Sequence, residues 1–144
     1  MSVELAELVA LETAIFPDAW SEKTLAEALG DEKYLILVER YENGAAKGYF
    51  IGWIVGEEAE IGRIGVAAAW RGQGIGGVLL DQALRFWHSW GATKVFLEVR
   101  ESNEIARRLY ASRGFLEIAR RKNYYEDGEA ALVFRLELSD GRSQ

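Results

Sequence analysis

The chain has 144 residues, 49% of them hydrophobic and 12% aromatic, so a single globular domain over 1–144 is expected rather than two domains or a disordered chain. No cysteine and one histidine, His88, exclude disulfides, thiolate chemistry and a histidine-based zinc site, and no metal is expected. A net charge of −6 argues against a nucleic-acid partner, and no apolar run nears the roughly 20 residues of a membrane span, which points to a soluble cytoplasmic protein with no membrane partner.

Glu4 to Phe16 reads as a helix whose broad apolar face holds Leu5, Leu8, Val9, Leu11, Glu12 and Ile15, and Pro17 ends it. Ser21 is placed to cap a second helix, Glu22 to Leu29, stopped by Gly30. Tyr34 to Tyr41 reads as a strand, and Asn43-Gly44 signals a hairpin to its partner, Lys47 to Val55. A turn at Gly56-Glu57-Glu58 leads to a third strand, Glu60 to Ala67. After a glycine-rich turn, Ile75 to Trp90 is a long helix, with Leu80, Ala83, Leu84, Trp87 and the terminating Gly91 at i, i+3, i+4 spacing. Lys94 to Arg100 is a strand, and Ser102 or Asn103 caps a short helix, Glu104 to Ser112, that Gly114 closes. Phe115 to Lys122 and Glu129 to Leu138 form a last hairpin across Asp127-Gly128, and Asp140 to Gln144 reads as a frayed tail. The order α-α-β-β-β-α-β-α-β-β implies a mixed sheet with helices on both faces.

The most informative stretch is Arg71-Gly72-Gln73-Gly74-Ile75-Gly76-Gly77, between a strand and a helix. Backbone N–H groups at the positive end of a helix dipole suit a phosphate, although the same glycines also suit an ordinary tight turn. A P-loop is excluded because no Lys-Ser/Thr follows Gly76 or Gly77. A dinucleotide fingerprint is disfavoured because the next strand carries its acid, Glu98, in the middle rather than at the end. Charge is also uneven: residues 1–60 hold 4 basic and 13 acidic side chains, and residues 61–144 hold 13 basic and 10 acidic. A polyanionic cofactor would meet the second half and a cationic substrate the first, unless both are simply solvated faces.

Arg71-x-x-Gly74-x-Gly76 at a helix start resembles the acyl-CoA pyrophosphate loop of the GNAT N-acetyltransferases. Leu97-Glu98-Val99-Arg100-Glu101-Ser102-Asn103, then Leu109-Tyr110 and Arg113-Gly114-Phe115, match that family in its order. Phe16-Pro17-Asp18-Ala19-Trp20-Ser21 and Arg120-Arg121-Lys122-Asn123-Tyr124-Tyr125 resemble its RimI-type branch, which acetylates the N-terminal alanine of a small-subunit ribosomal protein. The resemblance spans residues 4–138. It implies a mixed α/β (α+β) GNAT fold, a mainly antiparallel central sheet, and acetyl-CoA as co-substrate in a cleft between two central parallel strands. Two positions depart from the family: Ala67-Ala68-Ala69 replaces a frequent Asp-Pro turn, and Gly77 stands where a basic residue is common. The family's first edge strand is expected to be missing or reduced, because this chain starts almost directly in a helix.

The resemblance assigns the pyrophosphate to Arg71, Gly72, Gln73, Gly74, Ile75, Gly76 and Gly77, and the pantetheine arm to Ile64, Gly65 and Val66, with the Val66 N–H facing the oxyanion. Gly65 suits a bulge or a close backbone approach. Alternation puts Glu98 on one strand face with Phe96 and Arg100; it is either a solvent-facing carboxylate or, with the matching loop, the general base. Tyr110, one turn after Ala106, is either a core aromatic or the general acid for the leaving thiolate. Asn103 is expected to cap its helix, contact the pantetheine arm, or both. Trp20, Ser21, Arg121, Tyr124 and Tyr125 are expected to shape the acceptor cleft. The competing readings are a GNAT enzyme for another acceptor, such as a small amine, an antibiotic or protein lysine, and a non-catalytic acyl-CoA-binding module.

Overall fold

Residues 3–138 are described in a computed structural model, and the tail expected over Asp140 to Gln144 lies outside them. Helix α1 (Leu5–Ile15) is one residue shorter at each end than expected, because Glu4 is an extended N-cap and Phe16, which precedes proline, is itself extended. Helix α2 (Glu22–Leu29) begins where Ser21 accepts a hydrogen bond from the Thr24 amide at 3.1 Å. No strand precedes α1 among the described residues.

Strands β1 (Tyr34–Arg40), β2 (Ala46–Val55) and β3 (Glu58–Val66) form an antiparallel meander. Glu58, expected in the turn, is in β3 opposite Val55, because Gly56 at φ 62° lets the hairpin close over two residues. A 3-10 turn, Ala68–Trp70, leads to α3 (Ile75–Ser89), and then come β4 (Lys94–Arg100) and α4 (Glu104–Ser112). The α4 exit follows Gly114 at φ 90°, and the Phe115 amide donates back to the Tyr110 carbonyl. That return places Phe115 in the core rather than in the strand expected to start there, so β5 is Leu116–Arg121. The last strand, β6 (Ala131–Glu137), starts two residues later than expected, because Glu129 is occupied with Arg100 and the Ser102 amide.

The six strands lie in the order β1-β2-β3-β4-β6-β5, and only β3 and β4 are parallel. One face carries α3 and α4 over Phe50, Ile61, Leu80, Trp87, Leu97 and Phe134. The other carries α1 and α2 over Leu8, Leu25, Tyr49 and Ile51. The sheet is therefore mixed with helices on both faces, as the element order implied, and mainly antiparallel, as the family resemblance implied.

Candidate active site

The decisive feature is where the parallel ladder stops. Strands β3 and β4 pair from Glu58 and Lys94 only as far as Ile61 and Leu97, and then each continues with its outer neighbour alone. A bulge explains the parting: Ile51 pairs with Arg63 and Gly52 with Ile61, so Gly62 is the extra residue and bends β3 away. Of the two readings of Gly65, a bulge or a close approach, the bulge falls instead at Gly62. The missing Gly65 side chain instead makes room for aromatic rings, since a Cβ there would come 2.9 Å from Phe16 and 3.0 Å from Tyr49.

Parting leaves backbone groups unpaired. The Ala67 amide donates to the Lys47 carbonyl, so alternation makes Gly65 and Tyr49 a hydrogen-bonded pair and turns Ile64 and Val66 towards the open edge. Of the three residues expected to meet the pantetheine arm, Ile64 and Val66 thus offer backbone donors, whereas the Gly65 backbone is committed to β2. The Val66 carbonyl accepts from Arg71 Nε at 3.2 Å.

At the far end of this edge, α3 starts at Gly74, which is left-handed at φ 80° and has no side-chain cap. Its first-turn amides, from Gly74 to Gly77, therefore point outward with the positive end of a 15-residue helix behind them. Gly72, at φ 79°, and Gly74 both have open space where a Cβ would be, and Gln73 is exposed beside them. Gly77 is different. Arg113, from the end of α4, lays its guanidinium across it, so a Cβ would come 2.4 Å from the Arg113 side chain. Two bonds to Asp81, at 3.0 and 3.1 Å, hold that guanidinium. A cation from another element thus sits beside the position where the family's own basic residue is missing.

Between the parted strands lies a cleft of about 770 Å³ whose lining includes Phe16, Trp20, Glu60, Arg63, Ile64, Glu98, Asn103, Ala106, Tyr110, Tyr124 and Tyr125. Glu98 stands on the β4 face opposite the core, with one quarter of its side chain exposed. The Tyr124 hydroxyl donates to Glu98 Oε1 at 2.8 Å, and Arg121 Nε lies 3.4 Å from Oε2. That hydrogen bond is the first cause holding the Tyr124 phenol above its ordinary range. The Tyr110 ring packs edge-on to Phe115 while its hydroxyl has no hydrogen-bond partner among the described residues. Burial pushes the Tyr110 phenol well above the ordinary tyrosine range, so it stays protonated. Asn103 caps α4, accepting from the Ala106 amide at 3.1 Å, and lines the cleft as well. Tyr125 stacks under Arg100 at 4.0 Å. Ser21 does not join them: it is exposed, and its hydroxyl is spent on the α2 cap.

Several lining residues were not anticipated from sequence. Glu60 carries the same signal as Glu98, a carboxylate inside an apolar strand. Arg63 carries none, because the Gly62 bulge that turns it into the cleft has no clear mark. Arg63 spans Asp18, whose carbonyl it reaches at 3.1 Å, and fully buried Glu12, whose Oε2 is 3.3 Å from Nε. Its guanidinium also lies over Phe16 at 4.2 Å and Trp20 at 5.3 Å. Glu12 in turn accepts from the Trp20 amide at 2.7 Å and from the Tyr49 hydroxyl. Burial first, and this bond second, push the Tyr49 phenol far up. One buried carboxylate thereby fixes the aromatic wall of the cleft.

The sequence model of the acetyltransferase (GNAT) family matches residues 5–115. The chain belongs to this family. It is an acetyl-CoA-dependent N-acetyltransferase. It is 38% identical over 123 residues to a [ribosomal protein bS18]-alanine N-acetyltransferase of Escherichia coli K12, covering 83% of this chain and 82% of that one. The enzyme of the same description from Haemophilus ducreyi is 36% identical over 135 residues, covering 91% and 92%. The crystal structure of the ribosomal-protein-S18-alanine N-acetyltransferase from Escherichia coli superposes with a TM-score of 0.87 at 34% identity, covering 96% of this chain and 92% of that one.

Proposed function

We propose that this enzyme acetylates the N-terminal alanine amine of a small-subunit ribosomal protein, using acetyl-CoA as donor. The observation that carries the reading is the convergence of Glu98 from β4 and Tyr110 from α4 on the cleft opened between β3 and β4. Similarity to the two bS18-alanine enzymes supports the acceptor.

The residues present fit the donor. The uncapped amides from Gly74 to Gly77, with Gly72, Gln73 and Arg71 around them, suit a pyrophosphate, and the Ile64 backbone with the Val66 N–H, whose carbonyl partner is Arg71, suits an extended amide-bearing arm. Acetyl-CoA supplies an activated thioester carbonyl. The Val66 N–H is the donor for negative charge on that carbonyl oxygen. An N-terminal ammonium has a pKa of only about 8, so a carboxylate at Glu98, directly or through one water, suffices to free its lone pair. Tyr110 keeps its proton across the working range and gives it to the departing sulfur, whose basicity the same desolvation raises. Trp20, Tyr124 and Tyr125 wall the acceptor side, and Arg121 orients Glu98.

The test is mass-resolved acetylation of a peptide beginning with alanine against an N-blocked lysine peptide. Only the first should be modified. Glu98→Gln and Tyr110→Phe should each lower kcat by about 10²-fold or more with acetyl-CoA binding intact. Full turnover in both variants refutes the catalytic assignment, and exclusive lysine modification refutes the acceptor.

A further inference from the structure

A second carboxylate shares the cleft with Glu98. Glu60 and Glu98 lie on the same face of adjacent parallel strands, one same-face step apart in register, at the place where the ladder ends. Both line the cleft. Their surroundings differ. Glu98 is held by the Tyr124 hydroxyl and the Arg121 guanidinium, whereas Glu60 has no hydrogen bond or ion pair among the described residues. It is half-buried beside its cross-strand partner Trp53. This carboxylate, on an inner strand, faces the same cleft as Trp20, Tyr124 and Tyr125.

We propose that Glu60 is a further catalytic residue, which binds the acceptor's N-terminal ammonium together with Glu98 and shares with it the removal of the amine's protons. This rests on the acetyl-transfer reading above and adds a residue to it. Two protons leave the nitrogen: the ammonium N–H bond breaks and an O–H bond forms on one carboxylate of the Glu60–Glu98 pair, and after attack a second N–H bond breaks and its proton passes to the other carboxylate. The freed nitrogen lone pair attacks the thioester carbonyl, the C–S bond breaks, and the sulfur takes the Tyr110 proton. Water in the open cleft then takes the two protons from the carboxylates, returns one to the Tyr110 phenolate and leaves one net proton in solvent.

The charges facing Glu60 favour this pairing. Glu98 on β4 repels a second negative charge, Arg121 on β5 partly offsets it, and Arg63 and Asp18 border the same space with Tyr124 and Tyr125. Desolvation first, and the Glu98 charge second, hold the Glu60 carboxyl above the ordinary glutamate range. A carboxylate whose pKa is raised suits an amine proton better than an ordinary one.

The experiment compares wild type, Glu60→Gln, Glu60→Asp and Glu98→Gln, with a panel of N-terminal peptides, N-blocked lysine peptides and small amines, from pH 6 to 10. Acetyl-CoA binding by calorimetry checks folding. On the acceptor that wild type uses best, Glu60→Gln should lower kcat/KM by about 10²-fold near pH 7, and the loss should shrink above the amine pKa of about 8, where free amine needs no base. Glu60→Asp should recover part of it, and Glu60→Gln with Glu98→Gln should lose less than the product of the single losses. An unchanged pH profile in Glu60→Gln, or a loss equal at every pH, overturns the proposal while leaving the acceptor reading intact. Preference for another amine overturns that reading while still testing Glu60, and a wild type that acetylates no amine overturns both.

Discussion

Replacing Glu12 by glutamine is the sharpest test of how the acceptor wall is held. The side chain is wholly buried, accepts from the Trp20 amide and the Tyr49 hydroxyl, and faces Arg63, which is itself only 13% exposed. Glutamine keeps the shape and one acceptor oxygen, so hydrogen bonding is weakened rather than abolished. The lost charge matters more, because Arg63 keeps its positive charge with only the exposed Asp18 to oppose it. Stripping one partner from a buried ion pair costs about 3–5 kcal/mol, and retention of the amide puts Glu12→Gln near the lower end. For a domain of this size that corresponds to a fall in Tm of about 10 °C. Adding Arg63→Met removes the orphaned charge, so the double variant should recover at least ~1 kcal/mol relative to the sum of the single losses. Thermal unfolding of the four proteins gives the cycle, and peptide KM should rise in Glu12→Gln while acetyl-CoA affinity holds, because Trp20 lines the acceptor side alone. A Tm within about 2 °C of wild type, or strictly additive losses, would refute the reasoning.

Ser21→Ala should cost about 1 kcal/mol of stability through the lost α2 cap and leave peptide KM unchanged. A raised KM with unchanged Tm would instead make Ser21 an acceptor contact. Gly52→Ala should destabilise by about 1–3 kcal/mol, because its Cβ would meet the Trp87 ring at 2.5 Å and the Glu60 carbonyl at 2.7 Å. The urea midpoint should fall with an unchanged m-value. Stability should also decline in acid. Bonds to Arg40, to Ser102 and Arg100, and to Arg120 hold Glu7, Glu129 and Glu101 below the ordinary carboxylate range. Their contribution is complete above the unfolded pKa of about 4.3 and disappears as pH falls through the lower folded values. Tm should therefore be flat from pH 7 to 5 and drop below about 4; a Tm that holds to pH 3 contradicts these pairings.

Much of this protein follows from local rules. Glycine turns, the Ser21 and Asn103 caps and alternating strands mark ten elements in order, because each signal acts within a few residues. The glycine-rich loop, Glu98 and Tyr110 were legible for the same reason: their spacing reflects a strand, a turn and a helix read singly. Boundaries slipped where a tertiary contact competed, as at Phe115, drawn into the core, and at Glu129, drawn to Arg100. The cleft itself was not legible. It arises because one extra residue, Gly62, shifts β3 against β2 and parts it from β4, and a bulge depends on how two distant segments register. That shift decides which backbone groups are free and turns Arg63 towards Trp20, while the parallel register before it sets Glu60 beside Glu98. Sequence alone pointed to the donor, because the signal for it is a contiguous loop at a helix N-terminus. The tertiary structure alone decided the cleft, because it is assembled from the α1–α2 loop, β3, β4, α4 and the β5–β6 loop, which meet only when the sheet is built.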